Sequence, residues 1–119
     1  MTARECLAAA KAAGPDFQRA VNLFIDGFRR ADAAARRLLV EDPIAAPGRL
    51  EGLVAAVVSA LCREAGMDPP PWVSRIHSPE PFFAFPARSY PLRLLLMLES
   101  PAPFFIRNVF VPENYLSRA

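Results

Sequence analysis

The stretch RLEGLVAAVVSALCREA, residues 49–65, decides how the rest of the chain is read. Leu50, Leu53, Val54, Val57, Val58 and Leu61 recur at intervals of three and four, which gathers them on one side of an α-helix. Gly66 follows where a helix can close in a left-handed turn. A helix with so continuous an apolar side needs other elements to cover it. The sequence on its N-terminal side supplies them as further helices.

Pro43 to Gly48 reads as a linker, and Asp42-Pro43 stops a short helix, because the residue before proline disfavours the α region. That helix is expected to start at Asp32 and to present Leu38, Leu39 and Val40. Before it, Phe17, Val21, Phe24 and Phe28, flanked by Ala20 and Ile25, form one strongly aromatic face of a helix capped by Asp16. At the N-terminus, Thr2 and Glu5 have capping-box spacing, and an alanine-rich run to Ala13 closes at Gly14.

Beyond Gly66 the character changes. The chain has 13 prolines in 119 residues, and ten of them lie between Pro69 and Pro112. Met67 to Trp72 is expected to be extended, since consecutive prolines enforce polyproline geometry. A loop rich in proline and aromatics follows, from Arg75 to Pro86. Pro91 suits the first position of a helix capped by Ser89 or Tyr90. Leu92, Leu94, Leu95, Leu96, Met97 and Leu98 make that helix apolar on nearly every side, which predicts a place in the middle of the core. Ser100-Pro101 ends it or starts a further turn. Ile106 to Val111 is compatible with a short strand, and Pro112 to Arg118 with a last helical turn.

The resulting expectation is all-α: a single domain over residues 1–119, in which a helical scaffold (1–66) carries a proline- and aromatic-rich segment (67–119) wrapped on it. Hydrophobic residues make up 53% and charged residues 22%, a balance that argues against disorder and supports one core. The longest apolar runs, Leu53 to Val58 and Leu94 to Leu98, are too short to span a bilayer, and no signal-peptide pattern opens the chain. Cys6 and Cys62 read as buried free thiols of a cytoplasmic protein.

Function classes divide on chemistry. The net charge is +2, and each half of the chain carries one excess positive charge, which weighs against gripping nucleic acid through many phosphates. Arg29, Arg30, Arg36 and Arg37 flank a tight helix junction and provide the alternative reading, a DNA-binding regulator. Asp26, Asp32, Glu41 and Asp42 alternate with them, however, and Ala33-Ala34-Ala35 offers no base-reading side chains. His77 is the only histidine and has no metal-ligand companions, so no metal or other cofactor is expected. A Cys62–His77 nucleophile pair is weighed against the core position of Cys62. No phosphate-binding loop or nucleophile elbow occurs, so no catalytic residue is assigned.

Nine of the twelve aromatic residues lie in the proline-rich half. Aromatics are enriched at protein interfaces, and proline-stiffened segments lose little entropy on binding. Trp72, Phe82, Phe83, Phe105, Arg107 and Asn108 are therefore the candidate partner-binding residues, against the reading that these aromatics form a satellite core. Phe110 and Tyr115 are expected to be internal.

The pieces Pro71-Trp72-Val73, Glu80-Pro81-Phe82-Phe83, Leu92-Arg93, Glu99-Ser100-Pro101, Phe104, Arg107-Asn108-Val109-Phe110-Val111 and Leu116-Ser117-Arg118-Ala119 occur in that order. In them the chain resembles a group of small bacterial antitoxin-like or transcriptional-regulator-like proteins. Genes for that group often neighbour nucleotidyltransferase-type toxins. The resemblance lies mainly in residues 71–119. It implies a non-enzymatic module that binds and occludes such a partner, and it is compatible with a homo-oligomer. One departure stands out: relatives tend to carry a basic run before the Asn-x-Phe-Val segment, whereas Phe105-Ile106 here precede a lone Arg107. A hydrophobic contact is expected to take the place of the basic one.

Overall fold

The computed structural model describes residues 1–85 and 89–117 and is all-α, as expected. Its helices are α1 (Ala3–Ala13), α2 (Phe17–Arg30), α3 (Ala33–Val40), α4 (Arg49–Glu64), α5 (Tyr90–Glu99) and α6 (Ala102–Phe105). Two short 3-10 turns, Gly14–Asp16 and Pro71–Arg75, punctuate them, and a two-residue strand β1 (Phe82–Phe83) pairs in parallel with β2 (Val109–Phe110).

The capping box forms at the start of α1: Glu5 N donates to Thr2 Oγ1 at 3.1 Å, and Thr2 N donates to Glu5 Oε1 at 2.8 Å. Gly14 ends α1 with φ of 59°, a conformation that strains any residue with a Cβ. Asp16 does not cap α2 through its side chain. The Gly14–Asp16 turn runs directly into α2, so the backbone there is already coiled. Asp32 does cap α3, accepting from Ala35 N at 2.8 Å. The aromatic face of α2 is buried at Ala20, Val21, Phe24, Ile25 and Phe28, with Phe17 half-buried at its edge. On α3 only Val40 is buried, and Leu38 points to solvent.

Helix α4 is the centre of the molecule. Its burial is unbroken from Gly52 to Val58, well beyond the expected stripe, and resumes at Leu61 and Cys62. α1 and α2 cover one part of it, while α6, β2 and the Pro71–Arg75 turn cover the rest. The small residues Gly52, Ala55 and Ala56 make that possible. A Cβ on Gly52 would stand 2.7 Å from the backbone nitrogen of Ser78, so only glycine admits the 77–78 backbone this close. One apolar cluster runs from Ala3 to Val111 around this helix.

The proline-rich half is tied down by backbone-directed polar bonds. Pro70 is extended, with φ −62° and ψ 146°, but Trp72 already belongs to the 3-10 turn, which corrects the expected extended run. The Trp72 indole donates to Val40 O at 2.9 Å, pinning that turn to the end of α3. The expected strand from Ile106 to Val111 shrinks to Val109–Phe110, because Ile106 to Asn108 closes α6 in a turn. Asn108 has φ of 63°, a left-handed value that asparagine tolerates better than most residues. Its pairing partner, Phe82–Phe83, lies in what the sequence reads as loop. Phe82 N donates to Asn108 O at 3.0 Å and Ala84 N to Phe110 O at 3.1 Å. The final turn runs from Pro112 to Ser117, and the end of the expected helical turn at Arg118 lies outside the described residues, as does Pro86.

The largest correction concerns α5. It is not central to the core: of its ten residues only Leu96 is buried. The space beside α4 is filled instead by Phe104 of α6 and by Val109 and Val111. Leu96 packs with Phe110, half-buried Phe83 and Met97 in a second, smaller cluster. α5 therefore lies at the edge of the molecule, with Leu94, Leu95 and Leu98 among its exposed side chains. Among the described residues, no helix is long and apolar enough to cross a membrane.

Candidate functional site

Phe110 is the platform on which an exposed apolar surface is built. Its ring lies 5.1 Å from that of Phe83 and 6.0 Å, edge-on, from that of Phe105. Leu96 packs against the same ring, which joins α5 to Phe105 through one aromatic. The Arg93 guanidinium lies 5.3 Å from the centre of the Phe83 ring, on the opposite side of α5 from Leu94 and Leu98.

Both ends of α5 are held by serines. Leu92 N donates to Ser89 Oγ at 3.3 Å, capping the first turn. At the other end, Ser100 Oγ lies 2.6 Å from Leu96 O and 3.1 Å from Val111 O, and accepts from Val111 N at 2.9 Å. Ser89 closes the first turn of the helix itself, whereas Ser100 ties its last turn to the backbone that follows β2. The outward side of α5 presents Leu94, Leu95 and Leu98, spaced to form one stripe, with Tyr90 at its start. Leu98 is 85% exposed, Ile106 70% and Phe105 52%. Summed with Tyr90 and Leu92, these side chains of α5 and the end of α6 expose on the order of 700 Å².

The candidate residues from sequence separate into two groups. Phe83 and Phe105 meet at Phe110 and belong to the patch. Trp72 and Arg107, by contrast, are buried and spend their donors internally, which corrects their assignment as surface contacts. Arg107 donates from Nε and Nη2 to Val73 O and from Nη1 to Pro103 O, and burial lowers its pKa. Asn108 donates from Nδ2 to Ser78 O at 3.3 Å and occupies the turn before β2, a positional role. Phe82 is half-buried, its ring 5.8 Å from Phe17. Phe110 is buried, and Tyr115 is half-buried with its ring edge-on to Phe104 at 5.4 Å, both in line with their expected internal places.

Residues that the sequence reading passed over carry most of the patch: Tyr90, Leu94, Leu95, Leu98 and Ile106. The available signal was the absence of a polar side on α5. That absence describes equally a helix enclosed by its own protein and one that presents a face to another molecule.

Among the four arginines of the alternative reading, Arg29 pairs with Glu64 at 2.9 Å. Arg36 donates to Phe28 O and Arg29 O, both at 2.9 Å, and satisfies the carbonyl end of α2. Arg37 donates to Asp68 O at 3.2 Å, while Arg30 is exposed. Three of the four thus bond within the protein: Arg36 closes the α2–α3 junction, Arg29 ties α2 to α4, and Arg37 ties α3 to the segment after α4.

A cleft of about 520 Å³ lies elsewhere, between the start of α2 and the C-terminal turn. Tyr115, Gln18 and Asn22 line it in a chain: the phenol donates to Gln18 Oε1 at 2.5 Å, and Gln18 Nε2 donates to Asn22 Oδ1 at 2.9 Å. Burial raises the pKa of Tyr115, so these groups face the cleft uncharged. Among the described residues no cluster of histidine, cysteine or carboxylate side chains is arranged to hold a metal ion. Cys62 is buried in α4, and burial raises its thiol pKa, opposite to the direction a nucleophile needs. His77 is exposed, and its carbonyl accepts from Gly48 N. Comparisons with protein-family models, with curated proteins and with solved structures found no match to this chain.

Proposed function

We propose that this chain is a non-enzymatic protein-interaction module whose docking face is α5 together with Phe105 and Ile106. The observation that carries this reading is the exposed stripe Leu94, Leu95 and Leu98 on a helix capped at its start by Ser89 and tied at its end through Ser100 to Val111. Leucine side chains left in water cost free energy that a partner recovers by covering them, about 25 cal/mol per Å². Because α5 is capped by Ser89 and anchored through Ser100 and Leu96, little ordering entropy is lost on docking.

The resemblance in residues 71–119 makes a nucleotidyltransferase-type toxin the partner to test first, with the module acting as an antitoxin by occlusion. The hydrophobic pair Phe105-Ile106 then stands where relatives have basic residues, so binding is expected to depend weakly on salt. The test is co-expression with the product of the adjacent gene. A complex that survives purification in high salt and is lost on Leu98→Glu supports the reading. A neighbour that purifies alone beside the well-folded chain refutes it.

A further inference from the structure

We propose that, in the absence of another partner, two copies of this chain close the α5 face on each other. The inference rests on α5 being a docking face and names what occupies it when the chain is alone.

The first argument is area. A specific interface of ordinary size buries about 800 Å² on each partner. The exposed surface of Tyr90, Leu92, Leu94, Leu95 and Leu98 of α5, with Phe105 and Ile106 at the end of α6, is on the order of 700 Å² and so comes close to that requirement. Elsewhere the exposed leucines Leu23 and Leu38 lie on separate helices, an ordinary surface pattern.

The second argument is self-complementarity. A two-fold contact brings a patch against its own copy, so a patch carrying charge of one sign meets that sign again, whereas an uncharged apolar patch is self-complementary. The outward stripe of α5 carries no charge: Arg93 turns toward Phe83 on the opposite side, and Glu99 Oε1 accepts from Glu113 N at 3.4 Å. Leu94 and Leu98 lie one turn apart. In an antiparallel crossing centred at the level of Leu96, Leu94 of each copy meets Leu98 of the other, with Leu95 beside the axis.

The third argument is that covering the stripe buries little unsatisfied polar surface. The ends of α5 are capped by Ser89 and Ser100, and the hydroxyl of Ser100 is occupied by Leu96 and Val111. A membrane surface fits less well, since helices that lie on lipid carry lysine and arginine along their flanks, and α5 has only Arg93.

Sedimentation of the full chain over a wide concentration range tests the proposal. The expected result is a reversible dimer of twice the 13.1 kDa chain mass. Leu94→Glu with Leu98→Glu should be monomeric with an unchanged circular-dichroism spectrum, because both side chains face solvent. Leu94→Glu with Leu98→Lys places opposite charges across the antiparallel contact and should regain dimerisation at low salt. A wild-type chain that stays monomeric up to millimolar concentration overturns the proposal, as does a dimer indifferent to the Leu94/Leu98 double substitution. A monomer that instead floats with phosphatidylcholine–phosphatidylserine vesicles overturns it in favour of a lipid surface. The two readings fail separately: a monomeric chain that still binds the adjacent gene's product leaves the proposed function standing, whereas a dimer that ignores that product leaves self-association standing.

Discussion

The guanidinium of Arg107 donates twice to the carbonyl oxygen of Val73, at 3.2 and 3.0 Å, and a third time to Pro103 O at 2.7 Å. One side chain thereby joins the Pro71–Arg75 turn to α6 and the approach to β2. Hydrogen bonds from a charged donor contribute about 1.5–3 kcal/mol each, and their loss leaves Val73 O with only the long 3.5 Å bond from Ile76 N and takes the side-chain donor from Pro103 O. Arg107→Ala should cost about 3–4 kcal/mol in denaturant unfolding. Arg107→Lys should recover only part of that, because an ammonium cannot span both carbonyls with the planar fork. A variant that weakens partner binding while leaving stability unchanged would restore Arg107 as a surface contact.

Gly52→Ala tests the close approach at the centre of α4. Alanine is the better helix former by about 1 kcal/mol, so propensity alone predicts a gain. The added methyl, however, would meet Ser78 N at 2.7 Å and the His77 carbonyl carbon at 3.0 Å, both backbone atoms that cannot rotate away. Overpacking of this kind costs about 1–3 kcal/mol. The expected outcome is a net loss in unfolding free energy, and a net gain would show that residues 77–78 shift without penalty.

These two residues mark where sequence reading reaches and where it stops. The capping box of Thr2 and Glu5, the aromatic face of α2 and the helix around Leu53 to Leu61 are local patterns, and each forms as its spacing requires. Arg107 bonds to backbone carbonyls 34 and four positions away, which no side-chain pattern announces. β1 and β2 have two residues each, too short for any periodicity to appear. The side of α5 that faces the protein is equally hidden. Its leucines surround the helix, and the choice of Leu96 as the buried one depends on where Phe83 and Phe110 arrive from distant parts of the chain. The patch was therefore legible only as an excess of apolar residues, with Phe83 and Phe105 the two members identified in advance.

The thiols supply a measurement of opening. Cys6 is buried, its Sγ donates to Ala20 O at 3.7 Å, and burial pushes its pKa up to about 12. Thiolate is the reactive form, so native Cys6 should resist a disulfide reagent at neutral pH and be labelled only as the bundle unfolds. The raised pKa also has a pH consequence. The unfolded thiol ionises near its ordinary value of 9.0 and the folded one does not. The resulting stability is complete below pH 9 and falls as pH rises from there toward the folded pKa. Cys6→Ala should flatten that alkaline decline in chemical unfolding curves, leaving the part due to Tyr115, whose pKa is also raised by burial. Fast labelling of Cys6 at neutral pH without unfolding would contradict the packing of α1 on α2.

Ser100 provides the sharpest test of whether α5 is held ready for docking. Its hydroxyl links the carbonyl end of α5, at Leu96, to the backbone of Val111 after β2, and Leu96 is the helix's only buried side chain. The remaining attachments are the small cluster with Phe83, Met97 and Phe110, the Arg93 guanidinium over the Phe83 ring and the Glu113 N–Glu99 bond. Ser100→Ala removes the bridge and leaves the cluster, which lies apart from the packing around α4. The expected result is therefore local: amide exchange in α5 and at Val111 accelerates by about tenfold, equivalent to 1.4 kcal/mol, while the slowest amides of α4 keep their rates. Docking should weaken by a similar factor if fixing the helix is what spares entropy on binding. Faster exchange throughout α4 would instead make Ser100 part of the global fold, and unchanged exchange in α5 would mean that the remaining attachments hold the helix in place.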